Sequence, residues 1–212
     1  MLLLGHRGAR RYAPENTLAA FELALAHGCD GFEFDVRLTA DRRCVICHGP
    51  RLAGRSIDKS RYQQLPPGTA CLPEVLEKFA ARAFLDIELK VTGLEAEVAA
   101  MLRQHPPQRG YFVSSFLPRV IERLYAIDQS LPLGLICDSQ RQLTAWPGLP
   151  LHALFLERRL LKPAIAETLR SAGKKVFVWT VNRERDMRRC ADLAVDGIIS
   201  DDTKLLAETL KF

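Results

Sequence analysis

At 212 residues, 48% of them hydrophobic and 26% charged, the chain is long enough to bury one substantial core and has an ordinary globular composition. A formal charge of +5 suits a protein that handles anions, but Arg42-Arg43, Arg158-Arg159 and the arginines from 183 to 189 are dispersed and lack interleaved aromatics, so no nucleic acid is expected as a partner. No apolar run approaches the roughly 20 residues that span a bilayer, and Leu2-Leu3-Leu4 is broken by His6 and Arg7 too soon for a signal-peptide core; no stable membrane insertion and a cytoplasmic location are the expectations.

In chain order, Leu2-Leu3-Leu4 reads as a short buried strand ending at Gly5. A helix follows from Pro14-Glu15-Asn16-Thr17, with Leu18, Phe21 and Leu25 at helical spacing, Asn16 as its N-cap and Gly28 as its stop. Gly31 to Leu38 is a second strand, in which Phe32, Phe34 and Val36 share one face and Glu33 and Asp35 the other. Arg43 to His48 is a further extended piece, and 49 to 72 is irregular, with one helical turn expected around Ser60 to Leu65. Pro73 opens a helix through Ala80. The rhythm is then regular. Strands are expected at Phe84 to Glu88, Tyr111 to Ser114, Leu133 to Cys137, Ala153 to Leu156, Lys175 to Val181 and Gly197 to Ser200. The helices between and after them are expected at Leu94 to Gln104, Pro118 to Ile127, Arg141 to Trp146, Pro163 to Ala172, Glu184 to Leu193 and Thr203 to Leu210. The six cysteines lie mostly within these apolar runs, which reads as buried free thiols; Cys44 and Cys47 have metal-motif spacing, but strand alternation sends them to opposite faces.

Eight strands, each followed by a helical segment, predict an α/β protein: a compact (β/α)8 TIM barrel forming one domain over 1–212. The absence of GxGxxG after the first strand argues against an open dinucleotide fold. In such a barrel the residues at the carboxyl ends of the strands line one mouth. That brings together His6 and Arg7, Glu33 and Asp35, Glu88 and Lys90, Ser114 and Ser115, Glu157, and Trp179 with Asn182. Three carboxylates gathered there repel one another unless a cation holds them, and all-oxygen donors suit one divalent ion, Mg²⁺ or Ca²⁺, better than Zn²⁺. Such an ion with Arg7 and Lys90 leaves a site of slight positive charge, matched to a phosphodiester monoanion. His6 and His48 then supply one imidazole to take a proton and one to give it. His27, His105 and His152 lack such a setting and read as structural or surface residues.

The ordered set His6-Arg7-Gly8, Pro14-Glu15-Asn16-Thr17, Glu33-Phe34-Asp35-Val36, His48, Leu72-Pro73-Glu74, Asp86-Ile87-Glu88-Leu89-Lys90, Ser115-Phe116, Val178-Trp179-Thr180-Val181-Asn182 and Asp196-Gly197-Ile198-Ile199-Ser200-Asp201 resembles the glycerophosphodiester phosphodiesterase family from end to end. The resemblance implies a TIM-barrel hydrolase that converts a small-molecule glycerophosphodiester into glycerol 3-phosphate and an alcohol. It implies His6 and His48 as the acid/base pair, Glu33, Asp35 and Glu88 as ligands of Mg²⁺ or Ca²⁺, and Arg7 and Lys90 as phosphate contacts. Glu15 would order the site beside metal or glycerol, and Trp179 would wall the substrate. Gly49 stands where the family usually has Asp after the second histidine, Thr203 where it commonly has Pro, and the segment at about 49–72 is a reduced version of the family's cap. Two alternatives go with these departures: a lysophospholipid-cleaving or cyclic-phosphate-forming relative, and a catalytically weak barrel that binds a phosphorylated ligand.

Overall fold

The computed structural model describes residues 1–211. Its strands are β1 (Leu2–His6), β2 (Gly31–Leu38), β3 (Cys44–Ile46), β4 (Arg51–Leu52), β5 (Arg55–Ser56), β6 (Phe84–Leu89), β7 (Tyr111–Ser115), β8 (Leu133–Cys137), β9 (Ala153–Glu157), β10 (Lys175–Trp179) and β11 (Gly197–Ser200). The α-helices are α1 (Leu18–Ala26), α2 (Leu72–Phe79), α3 (Glu95–Gln104), α4 (Pro118–Ile127), α5 (Gln140–Ala145), α6 (Pro163–Ser171), α7 (Glu184–Asp192) and α8 (Thr203–Leu210). β1 pairs in parallel with both β11 and β2, and β6 through β11 complete the circuit, so eight strands close into the expected barrel with a helix after each. β3 hangs antiparallel on the end of β2, and β4 and β5 form a small separate hairpin.

Alternation along the strands sorts the side chains into two populations. On β2, Phe32 and Phe34 face the helix layer, where the Phe32 ring stacks on Phe21 of α1 at 4.2 Å and meets Phe79 of α2 edge-on at 5.0 Å. The opposite face carries Glu33 and Asp35 into the barrel. Below them the barrel is plugged by a separate cluster that includes Leu4, Phe84, Phe112, Phe155 and Phe177, with the last two rings stacked at 4.8 Å. An aromatic floor under a polar mouth is the arrangement that positions the site. Gly134 and Gly197 make room for that floor, since a Cβ on either would meet the Phe155 or Phe177 ring at 2.4 Å.

Gly31 is tighter still. A Cβ there would sit 1.8 Å from the carbonyl oxygen of Phe84, which is backbone and cannot swing aside. Gly31→Ala is therefore expected to lower stability by about 3 kcal/mol, read as a fall in the urea midpoint; an unchanged midpoint would show that β2 and β6 separate freely.

Most boundaries follow the pattern, and the differences have local causes. α1 begins at Leu18, because Thr17, not Asn16, is its N-cap and its hydroxyl accepts from Ala20 N; Asn16 sits at φ 59 with its side chain turned elsewhere. β1 extends to His6, and β10 stops at Trp179. The expected helical turn at 60–65 is two 3-10 turns, Ile57–Lys59 and Tyr62–Gln64. All six cysteines are free. Cys44 packs into the main core and Cys47 into a small cluster with Val45, Ile57 and Leu65, on opposite faces as alternation requires. Burial pushes the Cys44 thiol up to about 12, which makes it a poor nucleophile or metal ligand.

Candidate active site

The mouth is built by strand ends whose registers interlock. His6 lies opposite Glu33, Asp35 opposite Glu88, and Glu88 opposite Ser114. Just past β1 the chain turns through Arg7 at φ 54 and Gly8 at φ 78. A Cβ on Gly8 would lie 2.7 Å from the Ala20 backbone, so only glycine lets α1 press against this turn. The turn aims the Arg7 N–H at Glu33 Oε2, 2.8 Å away.

Oxygens of Glu33, Asp35 and Glu88 lie within 4.8 Å of one another, all three residues buried. Glu33 Oε1 is a buried oxygen with no hydrogen-bond partner. Lys90 Nζ sits 2.6 Å from Glu88 Oε1 and 3.3 Å from Asp35 Oδ1, and Arg7 Nε is 3.2 Å from Asp35 Oδ2. The Lys90 and Arg7 approaches are charge contacts; neither Arg7 Nε nor Glu88 Oε1 is in hydrogen-bond alignment. Two cations thus face three carboxylates. Burial, with Asp35 adding its charge, holds the Glu33 carboxyl well above its ordinary range and pushes Glu88 up to about 7. Burial pushes Asp35 the same way, but Lys90, Arg7 and Asn16 together outweigh it and leave that carboxyl below its usual value. Clustered hard oxygens, one of them buried and unpartnered, fit a divalent cation. This centre combines Glu33, Asp35 and Glu88 as the sequence suggested.

Asn16 matters here in a way that capping does not describe. Its Nδ2 donates to Asp35 Oδ2 at 2.8 Å and its Oδ1 accepts from Asp35 N at 3.2 Å, a two-point clamp on the central carboxylate. Asn16→Ala is expected to weaken divalent-ion affinity about 10- to 100-fold, measured as the ion concentration needed for half of the ion-induced rise in melting temperature. Unchanged affinity would reduce the clamp to a folding contact.

His6 Nδ1 lies 2.6 Å from Asp201 Oδ1, and its Nε2 lies 3.9 Å from Glu33 Oε2. Asp201 is held in turn by Asn182 Nδ2 at 2.7 Å, and Asn182 Oδ1 accepts from Asp201 N and Ser200 Oγ. Burial lowers the His6 imidazole against the opposing pull of Asp201. His48 lines the same cavity, half-buried; its own carbonyl accepts from Arg37 Nε at 2.9 Å, and its ring makes no hydrogen bond among the described residues. Gly49 supplies no carboxylate to orient it. Burial lowers this imidazole as well.

Arg7 Nη1 pairs with both oxygens of Glu15 at 3.1 Å, and Glu15 also takes Arg10 Nη2 at 3.1 Å. Glu15 therefore holds Arg7 from the lip and stands outside the carboxylate trio. Trp179 lines the cavity, its Nε1 donating to Phe155 O at 3.0 Å and its ring meeting Phe116 edge-on at 5.6 Å. Ser114 donates to Asp86 Oδ1 at 2.7 Å and Ser115 to Leu89 O, and neither lines the cavity. Glu157 pairs with Arg159 on the rim. His27 and His105 cap α1 and α3, and His152 Nδ1 accepts from Leu133 N, so none of the three reaches the site.

Comparison with known proteins agrees with this geometry. The family described as the glycerophosphoryl diester phosphodiesterase family matches residues 6–69 and 86–205. YhdW of Bacillus subtilis is 31% identical, the match covering 95% of this chain and 94% of YhdW. A glycerophosphodiester phosphodiesterase of Caldanaerobacter subterraneus subsp. tengcongensis is 28% identical over 99% of this chain and 98% of its own. An Oleispira antarctica phosphodiesterase, solved in complex with the product sn-glycerol-3-phosphate, superposes with a TM-score of 0.90 at 24% identity, covering 100% of this chain and 97% of that one.

Proposed function

Because the chain belongs to the glycerophosphoryl diester phosphodiesterase family, we propose that it hydrolyses glycerophosphodiesters to sn-glycerol 3-phosphate and an alcohol. The observation that carries the reading is one cavity lined by Glu33 and Glu88, two imidazoles and two cations, with the Asp35 carboxylate clustered against the two glutamates. Glu33, Asp35 and Glu88 would hold one Mg²⁺ or Ca²⁺. When bound, that ion would supply charge stabilisation to the phosphoryl oxygens. Arg7 and Lys90, freed in part from the carboxylates that the ion would neutralise, bind the phosphate and orient its bridging oxygen. Asp201 accepts from His6 Nδ1–H, which fixes the tautomer and leaves Nε2 facing the reacting centre. His6 and His48 divide the proton work: one removes a proton from the attacking hydroxyl, the other delivers one to the departing alkoxide. Trp179 and Phe116 exclude water from the apolar side.

Residues 1–212 act in this reading as a single catalytic domain, with 49–72 as a reduced cap over His48. Among the described residues no helix is long and apolar enough to cross a membrane, and the free cysteines suit a reducing cytoplasm.

The test is release of glycerol 3-phosphate from glycerophosphocholine, glycerophosphoethanolamine and glycerophosphoglycerol, with Mg²⁺ and Ca²⁺ in parallel. Release from at least one of them is the expected result. Folded protein that releases none with either ion would overturn the reading.

A further inference from the structure

One carboxylate in the cavity has no part in the mechanism above. Asp86 lies two residues before Glu88 on the same inward face of β6, one layer deeper, and is 1% exposed. Its Oδ1 accepts from Ser114 Oγ, while its Oδ2 is buried without a partner. It belongs to the cavity lining but not to the trio whose oxygens cluster within 4.8 Å. Around it the lower walls are apolar: Ile136, Phe155 and Ile199, with Trp179 above. The unpartnered oxygens of Glu33 and Glu88 face the cation centre, whereas this one faces apolar walls at the deep end, which is how a pocket reads one hydroxyl, because the group pairs only when that hydroxyl arrives.

The size of the cavity admits a glycerol unit. The cavity holds about 150 Å³, a volume that elsewhere accommodates benzene, a guest of six heavy atoms. Glycerol also has six heavy atoms. With phosphate held at Arg7 and Lys90 near the mouth, a glycerol unit extends toward the aromatic floor and carries its far terminal hydroxyl deepest.

We propose, on the basis of the hydrolytic reading above, that this cavity takes the glycerol half of the substrate and that Asp86 is its specificity determinant, with Oδ2 pairing with the terminal hydroxyl farthest from the phosphate. An acyl chain on that hydroxyl removes the hydrogen-bonding proton and adds a chain far larger than the cavity. Lysophospholipids acylated on that hydroxyl are therefore disfavoured at the deep end of the cavity.

Binding tests this separately from turnover. The full-length protein, with Mg²⁺ present, is titrated calorimetrically with sn-glycerol 3-phosphate, with 2-hydroxypropyl phosphate (which lacks the far terminal hydroxyl), with 3-hydroxypropyl phosphate (which lacks the middle one) and with phosphocholine. The wild type is expected to bind 2-hydroxypropyl phosphate at least about tenfold more weakly than glycerol 3-phosphate, as a site built around one hydroxyl does. Asp86→Ala should bring these two ligands within about twofold while leaving any preference against 3-hydroxypropyl phosphate intact. Asp86→Asn, which still pairs with a hydroxyl, should retain most of the discrimination and serves as the folded control. In turnover, 1-acyl lysophosphatidylcholine should be cleaved at least about 100-fold less efficiently than glycerophosphocholine.

Equal wild-type affinity for the two ligands, discrimination that survives Asp86→Ala, or comparable turnover of the lysolipid would each overturn the proposal. So would a loss of phosphocholine affinity alone in Asp86→Ala, which would put the alcohol half in the cavity. Asp86-dependent binding without hydrolysis would sink the catalytic reading and leave this one standing; hydrolysis with Asp86-independent binding would do the reverse.

Discussion

EDTA treatment is expected to reduce glycerol 3-phosphate release at least about 1,000-fold, with recovery on adding back Mg²⁺ or Ca²⁺, because charge stabilisation by an ion in such a site is worth several kcal/mol. The same centre predicts how stability changes with pH. Glu88 is raised from its ordinary value to about 7, and Glu33 is held well above its own by burial and Asp35. A carboxyl raised on folding contributes stability that is fully present below its unfolded value and lost as pH rises through its folded one. The lowered imidazoles of His6 and His48 act in the opposite sense, since their contribution holds above about 6.5 and fades as pH falls. Two carboxyls are raised, Glu88 to about 7, so the ion-free protein should melt at a lower temperature at pH 8 than at pH 5.5. Glu88 alone accounts for a difference on the order of 2 kcal/mol. Saturating ion should remove most of that loss, and Glu88→Gln should raise the ion-free melting temperature at pH 8 while abolishing the response to ion. A melting temperature indifferent to both ion and pH between 5.5 and 8 would rule out the trio as a cation site.

His6→Ala should cost about 1,000-fold in kcat, within the usual range for loss of a general acid or base. KM should change little if, as proposed, Arg7 and Lys90 carry the phosphate rather than His6. Asp201→Asn gives the sharper result. The amide keeps the size of the carboxylate but can offer its NH₂ to Nδ1, favouring the tautomer with the proton on Nε2. A fall of about 10- to 100-fold in kcat at near-constant KM is expected, together with an Nδ1-to-Nε2 change in the His6 ¹⁵N resonances. Loss of kcat with no tautomer change would assign Asp201 to support of the loop alone. Asn182→Ala, which removes the hand that holds Asp201, should give a smaller fall in the same direction.

The barrel was legible because its eight strands are short apolar runs separated by helices, several of which open at Pro or Thr, and the mouth followed from where those runs end. Pro118–Ile127, Leu133–Cys137, Gly197–Ser200 and Thr203–Leu210 fall where the pattern placed them. The carboxylate trio was legible for the same reason, alternation on β2 and β6. Asn16 was misread because Asn before an apolar helical run fits a cap as well as it fits anything. Only the fold shows that α1 is capped by Thr17 and that Asn16 turns to Asp35. The Asp201 role needed the pairing of Gly5 with Ser200, which no local pattern contains, although its position two residues beyond inward-facing Ile199 was a usable signal. Asp86 had the same signal, its alternation with Glu88, but nothing in the sequence says that Ser114 satisfies one oxygen and leaves the other bare.

The first strand is clasped between the second and the last, and the link between His6 and Asp201 joins residues 195 positions apart. Closing so long a loop is among the slowest events in folding. During synthesis β1 and β2, with His6 and Glu33, are made long before residue 201, so the residue that holds the His6 ring is among the last to arrive. If His6 acts as proposed, catalytic competence belongs to the completed ring, and a chain nicked before residue 201 should lose turnover even where its first strands still pair.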